Sequence, residues 1–164
     1  MNPPLSFEDA LAALLPRLRR FAHALARSPA DADDLVQASI ERALRSRSQW
    51  EPGTRLDSWM YRITRNLWID TVRSRGRREA LHAPLEDAEG IGEDPRDAIE
   101  ASMDLAKAMA AMQRLPDEQR EVVALILIEG FGYRECSEIL GLPIGTVSSR
   151  LVRGRNALLK MMGE

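Results

Sequence analysis

Residues 133–160 have the sequence YRECSEILGLPIGTVSSRLVRGRNALLK, and this stretch decides the fold of the second half of the chain. Its pattern predicts a short helix from Tyr133 to Leu140, a glycine-containing turn, and a longer helix that ends near Met162. Val147 and Leu151 would face the interior. This arrangement is a helix-turn-helix, whose second helix typically binds in the major groove of duplex DNA.

The outer side of the longer helix combines short hydroxyl side chains with arginines. Hydroxyl groups near a helix start can approach bases or phosphates closely, and an arginine one turn further can reach guanine. The pattern alone also allows an ordinary helical hairpin with a solvated basic face. The predicted contacts with duplex DNA are Thr146, Ser148, Ser149, Arg150 and Arg153.

The first half of the chain shows three further helical patterns. Ser6 and Asp9 resemble a capping box at the start of the first helix, which Pro16 should kink or divide. Asp31 marks the expected start of the second helix. The third helix should extend from about Asp57 to Arg75 and end at a glycine, Gly76. Between this half and the helix-turn-helix, the pattern predicts a helix from about residue 98 with Leu105, Met109 and Met112 on one face, followed by a helix that Asp117 can cap.

Aromatic and basic side chains alternate within the third helix and the loop before it. Aromatic rings stack on unpaired bases while arginines follow phosphates, so this mixture favours single-stranded or melting DNA. Alternatively the rings are core residues, which is the better interpretation for Trp59 because it is in phase with Ile63 and Leu67. The predicted contacts with single-stranded DNA are Trp50, Arg55, Arg62, Arg65, Asn66 and Arg73.

Charge divides the chain into blocks that the net charge of −2 conceals. Residues 42–78 contain ten arginines and three acidic residues, and residues 80–104 contain eight acidic residues and one arginine. The first block suits a polyanion partner. Residues 80–97 also lack a helical period, so we expect a flexible acidic linker. The predicted fold is all-α, with an N-terminal domain at 1–79 and a C-terminal helix-turn-helix domain at 98–164.

The sequence offers little support for an enzyme. Cys136 is the sole cysteine, and the two histidines, His23 and His82, are isolated. We find no nucleophile–base pair and no phosphate-binding loop, and the aspartates at 31, 33 and 34 suit helix capping better than metal binding. We therefore expect no catalytic, cofactor or metal site. No signal peptide or membrane-spanning segment is evident, so we expect a cytoplasmic protein.

Four segments in order resemble the extracytoplasmic-function (ECF) group of bacterial sigma factors, and the resemblance covers nearly the whole chain. The segments are DADDLVQ (31–37), LDSWMYRITRNLWID (56–70), LPDEQREVV (115–123) and GLPIGTVSSRL (141–151). The resemblance implies a factor that binds core RNA polymerase, directs it to promoters and helps to melt the −10 region. It also implies an anti-sigma factor as a partner.

The resemblance assigns roles to individual residues. Asp34, Gln37 and Arg42 would bind the polymerase clamp. Asn66 and the loop from Trp50 to Asp57 would hold a base flipped out of the non-template strand. Arg62, Arg65 and Arg73 would lie along the DNA backbone, while Ser149 and Arg153 would contact the −35 element as duplex. Two positions that are commonly basic in the group are Ile128 and Ser148 in this chain.

Two other functions are compatible with the sequence. A stand-alone helix-turn-helix regulator would explain residues 133–160 but not the aromatic third helix. A sigma-like decoy that binds an anti-sigma factor would not need the arginines predicted to face DNA.

Overall fold

The computed structural model describes residues 3, 5–81 and 100–163, and every regular element in these ranges is helical, as predicted. The seven α-helices are α1 (Phe7–Leu25), α2 (Pro29–Arg45), α3 (Leu56–Leu81), α4 (Glu100–Arg114), α5 (Asp117–Val123), α6 (Tyr133–Leu140) and α7 (Ile144–Met161). A 3-10 turn occupies Arg47–Gln49, and a π-helical turn at Ala124–Ile128 extends α5. The linker predicted at 80–97 lies outside the described residues, except that its first two residues belong to α3.

Helix α1 is capped as the sequence predicts, since the Ser6 hydroxyl accepts a hydrogen bond from the Asp9 N–H at 3.1 Å. Pro16 does not divide the helix, which continues from Phe7 to Leu25. One stripe of α1, including Leu11 and Leu18, is buried against α2 and α3. This stripe forms the centre of the N-terminal three-helix unit.

The predicted start of α2 at Asp31 is wrong. The helix begins at Pro29, and Ser28 caps it by accepting a hydrogen bond from the Asp31 N–H. A serine followed by proline at the first helical position is a strong signal for the start of a helix. The prediction relied on the acidic residues that follow and therefore placed the start too late. The Asp31 carboxylate instead pairs with both terminal nitrogens of Arg75, at 2.8 and 2.6 Å, and joins the start of α2 to α3.

Helix α3 also differs from the prediction. It continues through Gly76 to Leu81, because a glycine in an exposed helix costs only about 1 kcal/mol and nothing else stops the helix there. Trp59 is half-buried, in agreement with a role in the core, while Tyr61 and Trp68 are fully buried.

The C-terminal unit comprises α4 to α7. Met112 on α4 is buried, whereas Leu105, predicted on the same face, is 63% exposed near the start of the helix. Asp117 is the first residue of α5 and not its cap, because Pro116 occupies the capping position. Gly141 ends α6 with a φ of +67°, a conformation that glycine adopts at low cost.

The two units pack against each other. Helix α1 contacts α4, α5 and the π-helical turn, and α3 contacts α6. Arg120 on α5 is 2% exposed and reaches the carbonyl oxygen of Leu25 at the end of α1, at 3.0 Å. A single hydrophobic core therefore continues from one unit into the other.

Candidate nucleic-acid interface

Helix α7 is held in place by one buried face. Val147 and Leu151 are buried, as predicted, and Gly154 lies so close to α5 that an added Cβ would stand 2.7 Å from Cγ2 of Val123. A larger residue here would require the Val123 side chain or the helix that carries it to shift. The opposite face of α7 is consequently turned toward solvent.

The exposed face of α7 contains two of the predicted DNA contacts. Ser149 and Arg153 are exposed, and the guanidinium of Arg153 lies 3.5 Å from the Ser149 hydroxyl. Thr146 and Ser148 are half-buried. Arg150 turns away toward Glu118 on α5, with 3.3 Å between the charged groups. Ser149 and Arg153 are therefore better placed for a ligand than Arg150.

Two exposed residues of α7 were not predicted. Val152 is 53% exposed and Asn156 is also exposed, on the same side as Ser149 and Arg153. A branched apolar side chain can contact a thymine methyl group, and an asparagine can pair with adenine. The spacing of three and four residues from Ser149 and Arg153 is the sequence signal that would have found Val152 and Asn156.

Three of the arginines predicted on or before α3 contact the C-terminal unit. Arg65 pairs with Glu121 through two bonds of 3.0 and 3.3 Å, and Arg62 donates to the carbonyl oxygen of Glu138 at 2.9 Å. Arg55 pairs with Glu135. The fourth predicted arginine, Arg73, is exposed.

Asp57 anchors Arg55 on the side of the N-terminal unit. Burial alone would raise the pKa of Asp57. Hydrogen bonds from Arg55 and from the Ser58 N–H have the opposite effect, as do the positive charges of Arg55 and Arg17, and the pKa of Asp57 is lowered overall. The carboxylate is therefore charged at neutral pH and holds the guanidinium of Arg55 at 2.8 to 3.1 Å.

A small polar recess lies between α2, the 3-10 turn and α3. It has a volume of about 130 Å³ and includes Asn66, predicted to contact DNA, and Arg42, predicted to contact polymerase. Asn66 is exposed at its rim. Trp50 is half-buried and packs on Phe7 with ring centres 5.6 Å apart, so its ring lies outside the lining of this recess. The structure thus brings Asn66 to a concave surface but places Trp50 beside the core.

The other residues predicted to bind polymerase share one side of α2. Asp34 and Gln37 are exposed one turn apart, and the Gln37 side chain donates to Glu41 at 3.4 Å. A wider recess of about 450 Å³ lies between α1 and α2 beside Gln37. Arg42 is exposed near the end of the helix. Helix α2 packs mainly on α1 and α3, which leaves these side chains exposed.

Sequence reasoning missed the contact made by Glu129, in the turn after α5. Its side chain has no exposed surface and accepts hydrogen bonds from Arg20 at 2.8 and 2.7 Å and from the Tyr61 hydroxyl at 2.8 Å. Arg17 lies 4.0 Å away. Burial and the Glu129 carboxylate raise the pKa of Tyr61, which therefore donates its proton at neutral pH. A single acid in a turn has no periodic signal from which this contact could have been predicted.

The described residues contain no group of three or more histidine, cysteine or acidic side chains placed to hold a metal ion. No helix in this part of the chain is long and apolar enough to cross a membrane. Cys136 is buried, which raises the pKa of its thiol to about 12.

Comparison with known proteins identifies both units. Sigma-70 region 2 matches residues 11–78, and sigma-70 region 4 matches residues 105–158. The ECF RNA polymerase sigma factor EcfG of Rhodopseudomonas palustris is 35% identical over 157 residues, which cover 96% of this chain and 85% of EcfG. This chain belongs to the ECF sigma factors. The sigma factor is also 32% identical to the RNA polymerase sigma factor CarQ of Myxococcus xanthus over 159 residues, or 97% of the chain and 90% of CarQ.

A solved structure supports the same assignment. The sigma factor RpoE from Bartonella quintana, determined in complex with the anti-sigma factor NepR, matches with a TM-score of 0.83 and 32% identity. The match covers 95% of this chain and 96% of RpoE. The present protein is therefore a regulatory subunit that binds RNA polymerase and directs initiation at specific promoters.

Proposed function

We propose that the sigma factor divides promoter recognition between its two units. Residues 1–79 would dock on core polymerase through Asp34, Gln37 and Arg42, and bind the melted −10 element through α3. Residues 98–164 would bind the −35 element as duplex through α7. The exposed face of α7, which displays Ser149 and Arg153 opposite a buried face, is the observation that carries this proposal.

The recess beside Asn66 supports the −10 part of the proposal. Its lining is mostly polar, and an asparagine amide can both donate to and accept from a base edge. Single-stranded DNA can present a base in this way because an unpaired base is free to leave the stack. Arg73 would contact a nearby phosphate, and Trp50 would support the loop through its contact with Phe7.

A matched pair of variants tests the role of α7. Arg153→Gln should weaken the contribution of the −35 element by about 1–3 kcal/mol, the value of one bidentate base contact. Arg114→Gln removes the same charge from an exposed position at the end of α4 and should leave promoter choice unchanged. Promoters selected by polymerase from a random library should lose −35 sequence preference only with Arg153→Gln. Equal preference in both variants would contradict the assignment.

We also propose that an anti-sigma factor regulates this protein, on the strength of its similarity to RpoE, which was crystallised with NepR. Purified NepR of Bartonella quintana is a suitable probe. It should bind the full chain and reduce its assembly with core polymerase. If NepR does not bind, the proposal that an anti-sigma factor similar to NepR regulates this protein is contradicted.

The proposed place of action is the cytoplasm, where polymerase and promoter DNA are found, and the proposed role requires no enzymatic activity of its own. A stand-alone regulator would bind duplex promoter DNA without polymerase. A decoy would bind the anti-sigma factor without supporting transcription. Assembly with core polymerase followed by transcript synthesis separates the proposal from both.

A further inference from the structure

The first turn of α1 packs against the loop that precedes α3. Phe7, the first residue of α1, is buried, and its ring centre lies 5.6 Å from that of Trp50 and 6.2 Å from that of Trp59. Trp59 in turn lines the polar recess beside Asn66. We refer to Phe7, Trp50 and Trp59 as the aromatic cluster. Through this cluster the start of α1 contacts both the loop and the recess.

Arg47 adds a charged contact to the aromatic cluster. Its guanidinium carbon lies 4.9 Å from the centre of the Phe7 ring, a distance at which a cation is attracted to an aromatic face. The same guanidinium donates a hydrogen bond to the Glu8 carboxylate. Arg47 is also the first residue of the 3-10 turn, and its carbonyl oxygen accepts a hydrogen bond from the Trp50 N–H at 3.2 Å. One side chain therefore joins the 3-10 turn to the first turn of α1.

Few other side-chain contacts fix the start of this loop. The indole N–H of Trp50 is buried and has no hydrogen-bond partner within the described ranges, so ring packing holds this side chain. Residues 51–54 are exposed. The Thr54 hydroxyl donates to the carbonyl oxygen of Glu51, which is a bond inside the loop. The position of the loop start relative to α1 therefore depends mainly on Arg47 and the aromatic cluster.

The 3-10 turn also supplies part of the recess. Gln49, the last residue of the turn, and Ser46, just before it, line the recess together with Asn66 of α3. A binding site loses most of its selectivity when its polar groups are displaced by about 1 Å. The placement of Gln49 relative to Asn66 should therefore determine how strongly the recess binds a base.

We infer that Arg47 is a positioning residue, which fixes the 3-10 turn against α1 and so keeps the recess in the shape that receives an unpaired base of the −10 element. This inference rests on the proposed binding of that base beside Asn66. The guanidinium of Arg47 is engaged by Glu8 and by the ring of Phe7, so its role requires no contact with DNA. A direct contact between Arg47 and a phosphate is the competing assignment.

The experiment measures how much one base contributes to binding. The full chain, assembled with core RNA polymerase, binds a labelled single strand that carries a −10 element obtained by promoter selection from a random library. Strands with one abasic site are measured beside it, and the ratio of the dissociation constants of the abasic and intact strands gives the contribution of the missing base. The relevant base is the one whose contribution disappears in Asn66→Ala.

Substitutions of Arg47 should change this contribution selectively. Arg47→Met keeps the aliphatic part of the side chain but removes both charged contacts, and it should reduce the contribution of the base by about three- to tenfold. Binding of the abasic strand should stay the same. Arg47→Lys keeps the positive charge and should restore most of the contribution. Arg45→Met removes the same charge from a neighbouring exposed position and should leave the contribution unchanged.

Glu8→Gln separates the inference from the competing assignment. If Arg47 positions the turn, Glu8→Gln should reduce the contribution of the base, because the arginine loses its partner. If Arg47 binds a phosphate, Glu8→Gln frees the arginine and should strengthen binding of the intact and abasic strands alike, while Arg47→Met should weaken both by the same factor. That pattern would overturn the inference.

Two further results would also decide against a positioning role. If the contribution of the base is the same in Arg47→Met and in the unaltered chain, the inference is wrong and the proposed binding of a base beside Asn66 still stands. If no abasic site weakens binding to the unaltered chain, the proposed role of the recess is wrong and the inference is wrong with it. Urea unfolding of each variant should show an unchanged fold, since Glu8, Arg45 and Arg47 are exposed.

Discussion

Arg120 should be among the most sensitive positions in the chain to substitution. Its guanidinium is buried and donates hydrogen bonds to both units, and burial lowers its pKa while Asp117 opposes that effect. An arginine in a protein nevertheless stays protonated. The acceptors are the carbonyl oxygens of Met112 (2.9 Å), Leu25 (3.0 Å), Gln113 (3.2 Å) and Leu115 (2.7 Å) and the carboxylate of Asp117 (3.0 Å).

Substitution of Arg120 by methionine removes these donors but approximately fills the space. The buried carbonyl oxygens of Leu25 and Leu115 then lose the hydrogen bonds that the guanidinium donates, although that of Met112 still accepts one from the Leu115 N–H. Each buried group left unsatisfied costs about 1–3 kcal/mol. Apolar contacts of the methionine offset part of this cost. We expect a net loss of about 3–5 kcal/mol, comparable with the effect of removing one partner from a buried ion pair. For a chain of this size, this loss corresponds to a fall in Tm of about 6–20 °C.

Urea unfolding followed by circular dichroism measures this loss. Arg134→Met, at an exposed position of α6, serves as the control and should change the free energy of unfolding by less than about 0.5 kcal/mol. A loss below about 1 kcal/mol for Arg120→Met would show that the buried arginine does not organise the junction between α1, α4 and α5.

Three further predictions concern packing, charge and reactivity. Gly154→Ala should destabilise the fold by about 1–3 kcal/mol, measured by urea unfolding, because its Cβ would overlap Val123; an unchanged midpoint would show that the helices can separate at no cost. Hydrogen bonding to Arg75 lowers the pKa of Asp31, so the stability that this pair adds is present above the ordinary aspartate pKa and is lost as the pH falls through the lowered value. Asp31→Asn should therefore be less stable than the unaltered chain at pH 7 and equally stable in strong acid, and a difference independent of pH would refute the assignment. Cys136 should react with a maleimide far more slowly in the native protein than in urea, since its thiol is buried with a pKa of about 12; equal rates would contradict its burial.

Patterns that repeat along a helix made most of the fold predictable. The helix-turn-helix between Tyr133 and Met161, its buried Val147 and Leu151, and the cap at Ser6 all depend on neighbours within a few residues in sequence. The predicted positions of the helix ends were less accurate than the predicted helices themselves. The serine–proline pair at 28–29 provides a stronger start than Asp31, and Gly76 alone was too weak to end α3.

The sequence could not reveal how the two units meet. Glu129, Arg20 and Tyr61 lie far apart in the chain, and no local rule relates an acid in a turn to two helices of another unit. The burial of Tyr61 has the same origin, because Phe21 and Phe131, both distant in sequence, pack on its ring. The exposure of Ser149 and Arg153 on α7 was easier to predict, since helical periodicity determines which side chains of a helix face outward.

The most direct test of the central claim is transcription with purified core RNA polymerase and a library of random promoter templates. If the sigma factor directs initiation, addition of the purified chain should produce transcripts from a small set of templates that share two sequence elements, and core polymerase alone should produce none of them. If the chain fails to join core polymerase, or joins it and starts no transcript from any template, it does not direct promoter recognition and the central claim is wrong.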